Sequence, residues 1–142
     1  MTETILVGFD GSPDAGAAIR WAAREAALRG AALHVVHTYD YPYLERLGHE
    51  AQEALAAEAQ AIARAGRDLA TAEVRGLDVT TTVTVGQPAA ELIEAAADST
   101  LLVLGRRGGL PLHHLLLGSV ANKCLHHAPC PVVVVAHDAE RA

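Results

Sequence analysis

The sequence predicts an α/β fold: a mostly parallel sheet with helices on both faces and right-handed crossovers. Three observations predict it. Short apolar or β-branched runs alternate with longer alanine-rich stretches from residue 4 to residue 136. The changeovers are marked by Gly, Pro, Asp or Ser, the residues that cap helices and turn chains. The closing run Val132-Val133-Val134-Val135 lacks polar alternation, so both its faces should be covered.

Residues 4–10, Thr-Ile-Leu-Val-Gly-Phe-Asp, read as the first strand. Asp10-Gly11-Ser12-Pro13 follows, with Ser12 suited to cap a helix and Pro13 to open it. That helix carries Trp21, runs to Arg29 and is stopped by Gly30. Residues 31–38 form the second strand, and the polar segment 39–48 a loop. From Glu50 the period changes. Leu47, Ala51, Leu55, Ala59, Ile62, Ala65, Leu69 and Ala72 recur three or four apart, one stripe of a long helix that ends by Gly76. In 78–85, Val79, Thr81, Val83 and Val85 alternate as a third strand. Gly86-Gln87-Pro88 turns the chain into a helix over 88–97. A fourth strand spans 100–105, a glycine-rich loop follows, and a helix from 118 to 127 leads to a fifth strand at 132–136. No repeat or linker divides the chain, so 1–142 is expected to be one domain. A last strand at a sheet edge needs blunting or a partner, so pairing of two copies through 131–136 is expected.

The composition narrows the function. Apolar residues make up 51% of the 142, much of it alanine, and the aromatics are Phe9, Trp21, Tyr39, Tyr41 and Tyr43. The core must therefore be Val, Leu, Ile and closely packed Ala. The net charge of −6 disfavours a non-specific binder of nucleic acid or anionic membranes, which would want a basic field. It still permits one anion held locally by backbone amides. No signal-peptide pattern and no apolar run of membrane-spanning length is seen, and Cys124 and Cys130 make no disulfide framework. A cytoplasmic protein is expected.

Ligands of open α/β sheets collect beyond the C-terminal strand ends. Two segments lie there: Asp10-Gly11-Ser12, and the loop from Gly105-Arg106-Arg107-Gly108 to Gly118-Ser119. Gly105 and Gly108 let backbone amides approach an anion, and Gly118-Ser119 opens a helix whose unpaired amides and dipole favour phosphate. Ser119 adds a hydroxyl. No Gly-x-x-x-x-Gly-Lys-Ser/Thr stretch occurs, and Gly8-Phe9-Asp10-Gly11 lacks the third glycine of a dinucleotide fingerprint. The pattern points to a mononucleotide.

Gly105-x-x-Gly108, nine residues, then Gly118-Ser119 resembles the ATP-binding branch of the universal stress protein family. So do Ile5-Leu6-Val7-Gly8-Phe9-Asp10-Gly11-Ser12, Leu33-His34-Val35, and the stretch from Gly118-Ser119-Val120 through His127-Ala128-Pro129-Cys130-Pro131 into the last strand. The resemblance implies a Rossmann-like, adenine nucleotide alpha hydrolase-like fold: an open five-stranded parallel sheet, order 3-2-1-4-5, usually a homodimer joined through the last strand. It further implies ATP with Mg²⁺. Asp10, beside Gly11, would approach the ribose or the metal, Val35 would meet the adenine through its backbone, and Gly105, Gly108, Gly118 and Ser119, followed by Val120, would hold the phosphates. Gly16 departs from the small hydroxyl residue frequent in the family.

Read from the residues alone, Asp10 suits either a ligand contact or an Asx turn, and it is taken as the carboxylate at the ends of strands one, two and four. Arg106 and Arg107 are candidates to neutralise phosphate, and Lys123 reads as a surface residue. His113-His114 has no third ligand at metal spacing nearby, and His126-His127 suits a helix C-terminus. No Ser/His/Asp order or glutamate pair fits a hydrolytic site. The sequence therefore points to a stress-response or signalling module that binds ATP with at most slow hydrolysis. An ATP-hydrolysing enzyme, a nucleotide-free dimeric scaffold and an adenylate-transferring or flavin-related protein stand as alternatives.

Overall fold

The computed structural model describes residues 2–108 and 116–137, and these build five strands in alternation with four α-helices. The elements are β1 (Thr4–Gly8), α1 (Pro13–Arg29), β2 (Ala32–Tyr39), α2 (His49–Glu73), β3 (Val79–Val85), α3 (Pro88–Ala96), β4 (Leu101–Gly105), α4 (Ser119–His127) and β5 (Val132–Val135), with a 3-10 turn at Leu44–Arg46. All pairings are parallel and the order is β3-β2-β1-β4-β5, as predicted. The chain steps outward from β1 through β2 to β3, then crosses to the other side for β4 and β5. The reversal opens a crevice at the C-terminal ends of β1 and β4.

Period-two alternation sorts the core into two layers. Ile5, Val7, Leu33, Val35 and Val103 are buried under α1 and α2, while Leu6, Val36, Leu102 and Leu104 are buried with α3 and α4. Burying each such side chain contributes roughly 1.5–3 kcal/mol. The alanines Ala17, Ala18, Ala22, Ala23 and Ala26 are fully buried, so α1 lies close to the sheet. Ser12 caps α1, its hydroxyl accepting from the Ala15 amide at 3.3 Å, and Gly30 closes the helix in the left-handed conformation. On β5, Val133 packs into the first layer and Val132 into the second, which accounts for its missing polar alternation.

The buried face of α2 is not the expected stripe. Ala59, Ala63, Gly66 and Ala70 are buried, with Ile62 and Leu69 partly so, whereas Ala51, Ala65 and Ala72 are exposed. Closeness of approach decides this. A Cβ on Gly66 would lie 2.9 Å from a Phe9 ring carbon and 3.0 Å from Ile19 Cδ1, so the smallest residues must face the core. Among the described residues no helix is long and apolar enough to cross a membrane.

Candidate functional site

A cavity of about 240 Å³ occupies the crevice. Its inner wall is apolar, built from Gly8 at the end of β1 and Phe9 after it, Val36 of β2, Leu92 of α3 and Leu104 of β4. Its mouth is polar, with Asp10, Thr38, Arg106, Arg107 and Ser119. Phe9 is fixed from both sides. Its amide donates to the Val36 carbonyl at 2.9 Å, and buried His37 donates from Nδ1 to the Phe9 carbonyl at 2.8 Å.

The loop after β4 is tied at its neck. The Arg106 amide donates to the Val135 carbonyl at 2.8 Å, continuing the β4–β5 pairing by one bond. The Gly118 amide then donates to the Arg106 carbonyl at 2.7 Å, which brings the two ends of the loop together. The reason for glycine at 105 is steric: a Cβ there would stand 2.7 Å from the Ala15 amide nitrogen, inside the first turn of α1. A Cβ on Gly118 would come within 3.3 Å of Arg107 Cα, and one on Gly108 within 2.9 Å of Asp10 Oδ2. Close approach, of backbone at Gly105 and Gly118 and of the Asp10 carboxylate at Gly108, rather than unusual dihedrals, favours these glycines. Residues 109–115 lie outside the described residues, and with them the predicted His113-His114 pair.

The electrostatics of the mouth favour an anion. Helix α4 starts after Gly118, which, like Gly48 before α2, has no side chain to cap the first-turn amides, whereas α1 and α3 have Ser12 and Gln87 doing so. Arg106 and Arg107 stand beside that helix start in a chain of net charge −6. Arg106 Nε, like His137 Nδ1 outside the cavity, is buried with no hydrogen-bond partner among the described residues, an arrangement that ordinarily costs on the order of 1–3 kcal/mol or more and calls for an acceptor. Asp10 accepts from the Ser12 amide through Oδ1 at 2.9 Å, an Asx turn, with Oδ2 turned toward Gly108. No group of three or more His, Cys, Asp or Glu residues suited to a metal ion occurs among the described residues.

Of the ten site residues expected from sequence, Asp10, Gly105, Arg106, Arg107, Gly108, Gly118, Ser119 and Val120 line this cavity. Gly11 and Val35 do not. Val35 is fully buried beneath α1 and α2, and strand alternation sends its neighbours Val36 and Thr38 to the cavity instead. Gly11, at φ 85°, lies across the turn, on a groove shared with Ile62, Ala65 and Asp68. Asp10 is the one carboxylate among the lining residues, but β2 runs to Tyr39, so Asp40 also stands at a strand end, outside the cavity.

Sequence reasoning missed Asp14. Its carboxylate is buried, accepts from the Arg107 amide through Oδ2 at 3.1 Å and from the His137 amide through Oδ1 at 2.7 Å. An acidic residue in a first helical turn signals only the helix dipole, and bonds to partners 93 and 123 residues away leave no local mark. Elsewhere, His126 donates from Nδ1 to the Asn122 carbonyl at 2.8 Å, and Lys123 is exposed. Both cysteines are free thiols, and burial pushes the Cys124 thiol up to about 11, an unreactive setting.

A model of the universal stress protein family matches residues 1–136. The chain belongs to the universal stress protein family. It is 38% identical over 148 residues to a member from Mycolicibacterium smegmatis, covering 97% of this chain and 49% of that one. A Thermus aquaticus member is 34% identical over 148 residues, covering 95% of this chain and 99% of its own. This chain thus spans about half the length of several curated relatives it matches, and nearly all of another. Among solved structures, universal stress protein UspA from Lactobacillus plantarum superposes with a TM-score of 0.78 at 29% identity, covering 94% and 97% of the two chains. A family member solved in complex with cAMP gives 0.74 at 29% identity over 96% and 98%. One from Archaeoglobus fulgidus in complex with dAMP gives 0.72 at 26% over 94% and 97%.

Proposed function

We propose that this universal stress protein is a stress-response or signalling module of the ATP-binding branch, holding ATP in the β1/β4 crevice and hydrolysing it slowly if at all. The observation that carries this reading is the buried, unpartnered Arg106 Nε beside the side-chain-free N-terminus of α4. Arg106 and the start of α4 line the same cavity, where a phosphate chain would find both. Arg106, Arg107, Gly108, Gly118 and Ser119, with Val120 behind them, would hold the phosphates. The apolar wall of Phe9, Val36 and Leu92 suits a flat base, and cAMP and dAMP bound to family members support an adenine nucleotide. Val35 would meet the adenine through its backbone, and Thr38, on the cavity lining, would stand at the adenine edge. Mg²⁺ would arrive with the phosphates, with Asp10 the nearest lining carboxylate.

Binding is favoured over turnover because Asp10 is the sole described lining residue with a carboxylate, and the described lining includes no histidine. Phosphoryl transfer to water needs a group that orients the attacking water, and Asp10 already spends one oxygen on the Ser12 amide. The same reading includes a homodimer through β5, an edge strand, and a cytoplasmic setting, which two free thiols suit. Gly118→Val tests the site: its side chain would enter the loop neck, so ATP affinity should fall at least about a hundredfold while the circular dichroism spectrum is kept. Undiminished affinity in a folded variant would overturn the assignment. Phosphate release at ordinary ATPase rates would replace the module by an enzyme.

A further inference from the structure

We infer that Asp14 is a positioning residue that couples the nucleotide loop to the end of β5, an inference that rests on the binding reading above. Asp14 is not among the residues lining the cavity. It sits behind Gly105 in the first turn of α1, 8% exposed, and its two oxygens go to two different segments. Oδ2 takes the amide of Arg107, in the loop, and Oδ1 takes the amide of His137, two residues past the end of β5.

One rigid carboxylate therefore fixes the separation of those two amides. The Arg106 amide bonded to the Val135 carbonyl closes the same circuit from the other side. The backbone of Arg106 and Arg107 cannot shift toward an anion without pulling on β5 or on Asp14, because hydrogen bonds from their amides join all three. The missing Cβ at 105 is part of the device: it lets the α1 backbone lie 2.7 Å from where that atom would be, bringing Asp14 within reach of both amides. Two backbone N–H bonds to one buried carboxylate are charge-assisted, the stronger class of hydrogen bond. Nucleotide held by the loop would thus tighten the segment after β5, the edge read above as the one that pairs. Occupancy and edge order become linked through a side chain that touches neither ligand nor partner.

The test is residue-level amide hydrogen exchange with and without saturating ATP, alongside ATP affinity, on three full-length chains: the natural one, Asp14→Asn and His137→Pro. Asn keeps the size but accepts through one oxygen only, and proline at 137 deletes the amide donor, together with an imidazole whose Nδ1 is buried, while leaving every residue of α1 and the loop in place. In the natural chain ATP should slow exchange at the His137 amide severalfold, although His137 is not a cavity residue. Asp14→Asn should lower ATP affinity by about tenfold, the scale of one charge-assisted hydrogen bond, and abolish the ATP response of the segment 134–137. His137→Pro should also weaken ATP binding and leave the amides of 134–136 insensitive to it. A merely structural Asp14 would change basal exchange in the variants but leave the response to ATP intact, which would overturn the inference. So would ATP binding by the natural chain with His137 exchange unchanged, or natural affinity in a folded His137→Pro variant. Absence of ATP binding by the natural chain would instead overturn the binding reading, and the coupling with it.

Discussion

A methyl group added at residue 16 and one added at residue 66 should have opposite effects, although both positions are glycines inside helices. At Gly16 the nearest atoms to an added Cβ are Leu69 Cδ1 at 3.7 Å and the Arg20 guanidinium at 3.8 Å, ordinary contact distances. Alanine there recovers the conformational entropy that glycine forfeits, so Gly16→Ala should raise unfolding stability by about 0.5–1 kcal/mol. At Gly66 the same atom meets Phe9 and Ile19 at 2.9–3.0 Å, and Gly66→Ala should cost about 1–3 kcal/mol despite better helix propensity. Urea unfolding of the two variants checks this; a shared sign would contradict the packing described. At this scale the sequence was a partial guide. The spacing of Gly105, Gly108 and Gly118 marked the loop, but strand parity, which separates Val35 from Val36 and Thr38, depends on which face α1 covers. Asp14 was invisible for a related reason, since its partners are backbone amides, which no residue type announces.

Elements were more legible than residues. All five strands and four helices lie within about two residues of the expected bounds, because alternation, Ser12-Pro13, Gly30 and Gln87-Pro88 are local signals read correctly without tertiary context. The exception is the face of α2. Apolar spacing alone chose Ala65 and Ala72, whereas contact with Phe9 and Ile19 rotates the helix toward Ala63, Gly66 and Ala70. The edge strand β5 carries its own prediction. The Pro131 and Val135 carbonyls accept from the β4 side, so alternation turns the amides of Val132 and Val134 away from β4. Val134→Pro removes one outward donor and spares the bonds to β4, an exchange tolerated on edge strands. If β5 joins two copies, sedimentation equilibrium should find the natural chain dimeric and Val134→Pro shifted toward monomer. A variant as dimeric as the natural chain would place the interface elsewhere.

At the scale of the whole molecule, one topological fact organises the function. The strand order reverses between β1 and β4, so two loops and two helix starts converge on a single crevice. Alternating α/β patterning made the parallel sheet readable, and family resemblance supplied its order. The apolar inner wall and the polar mouth of the crevice emerge only once five separate segments are folded together. The central claim is that this crevice holds ATP, and calorimetric titration of ATP into the natural chain, first freed of small molecules, tests it most directly. The account predicts saturable binding of one ATP per chain, with GTP much weaker. No saturable binding at millimolar ATP would contradict it.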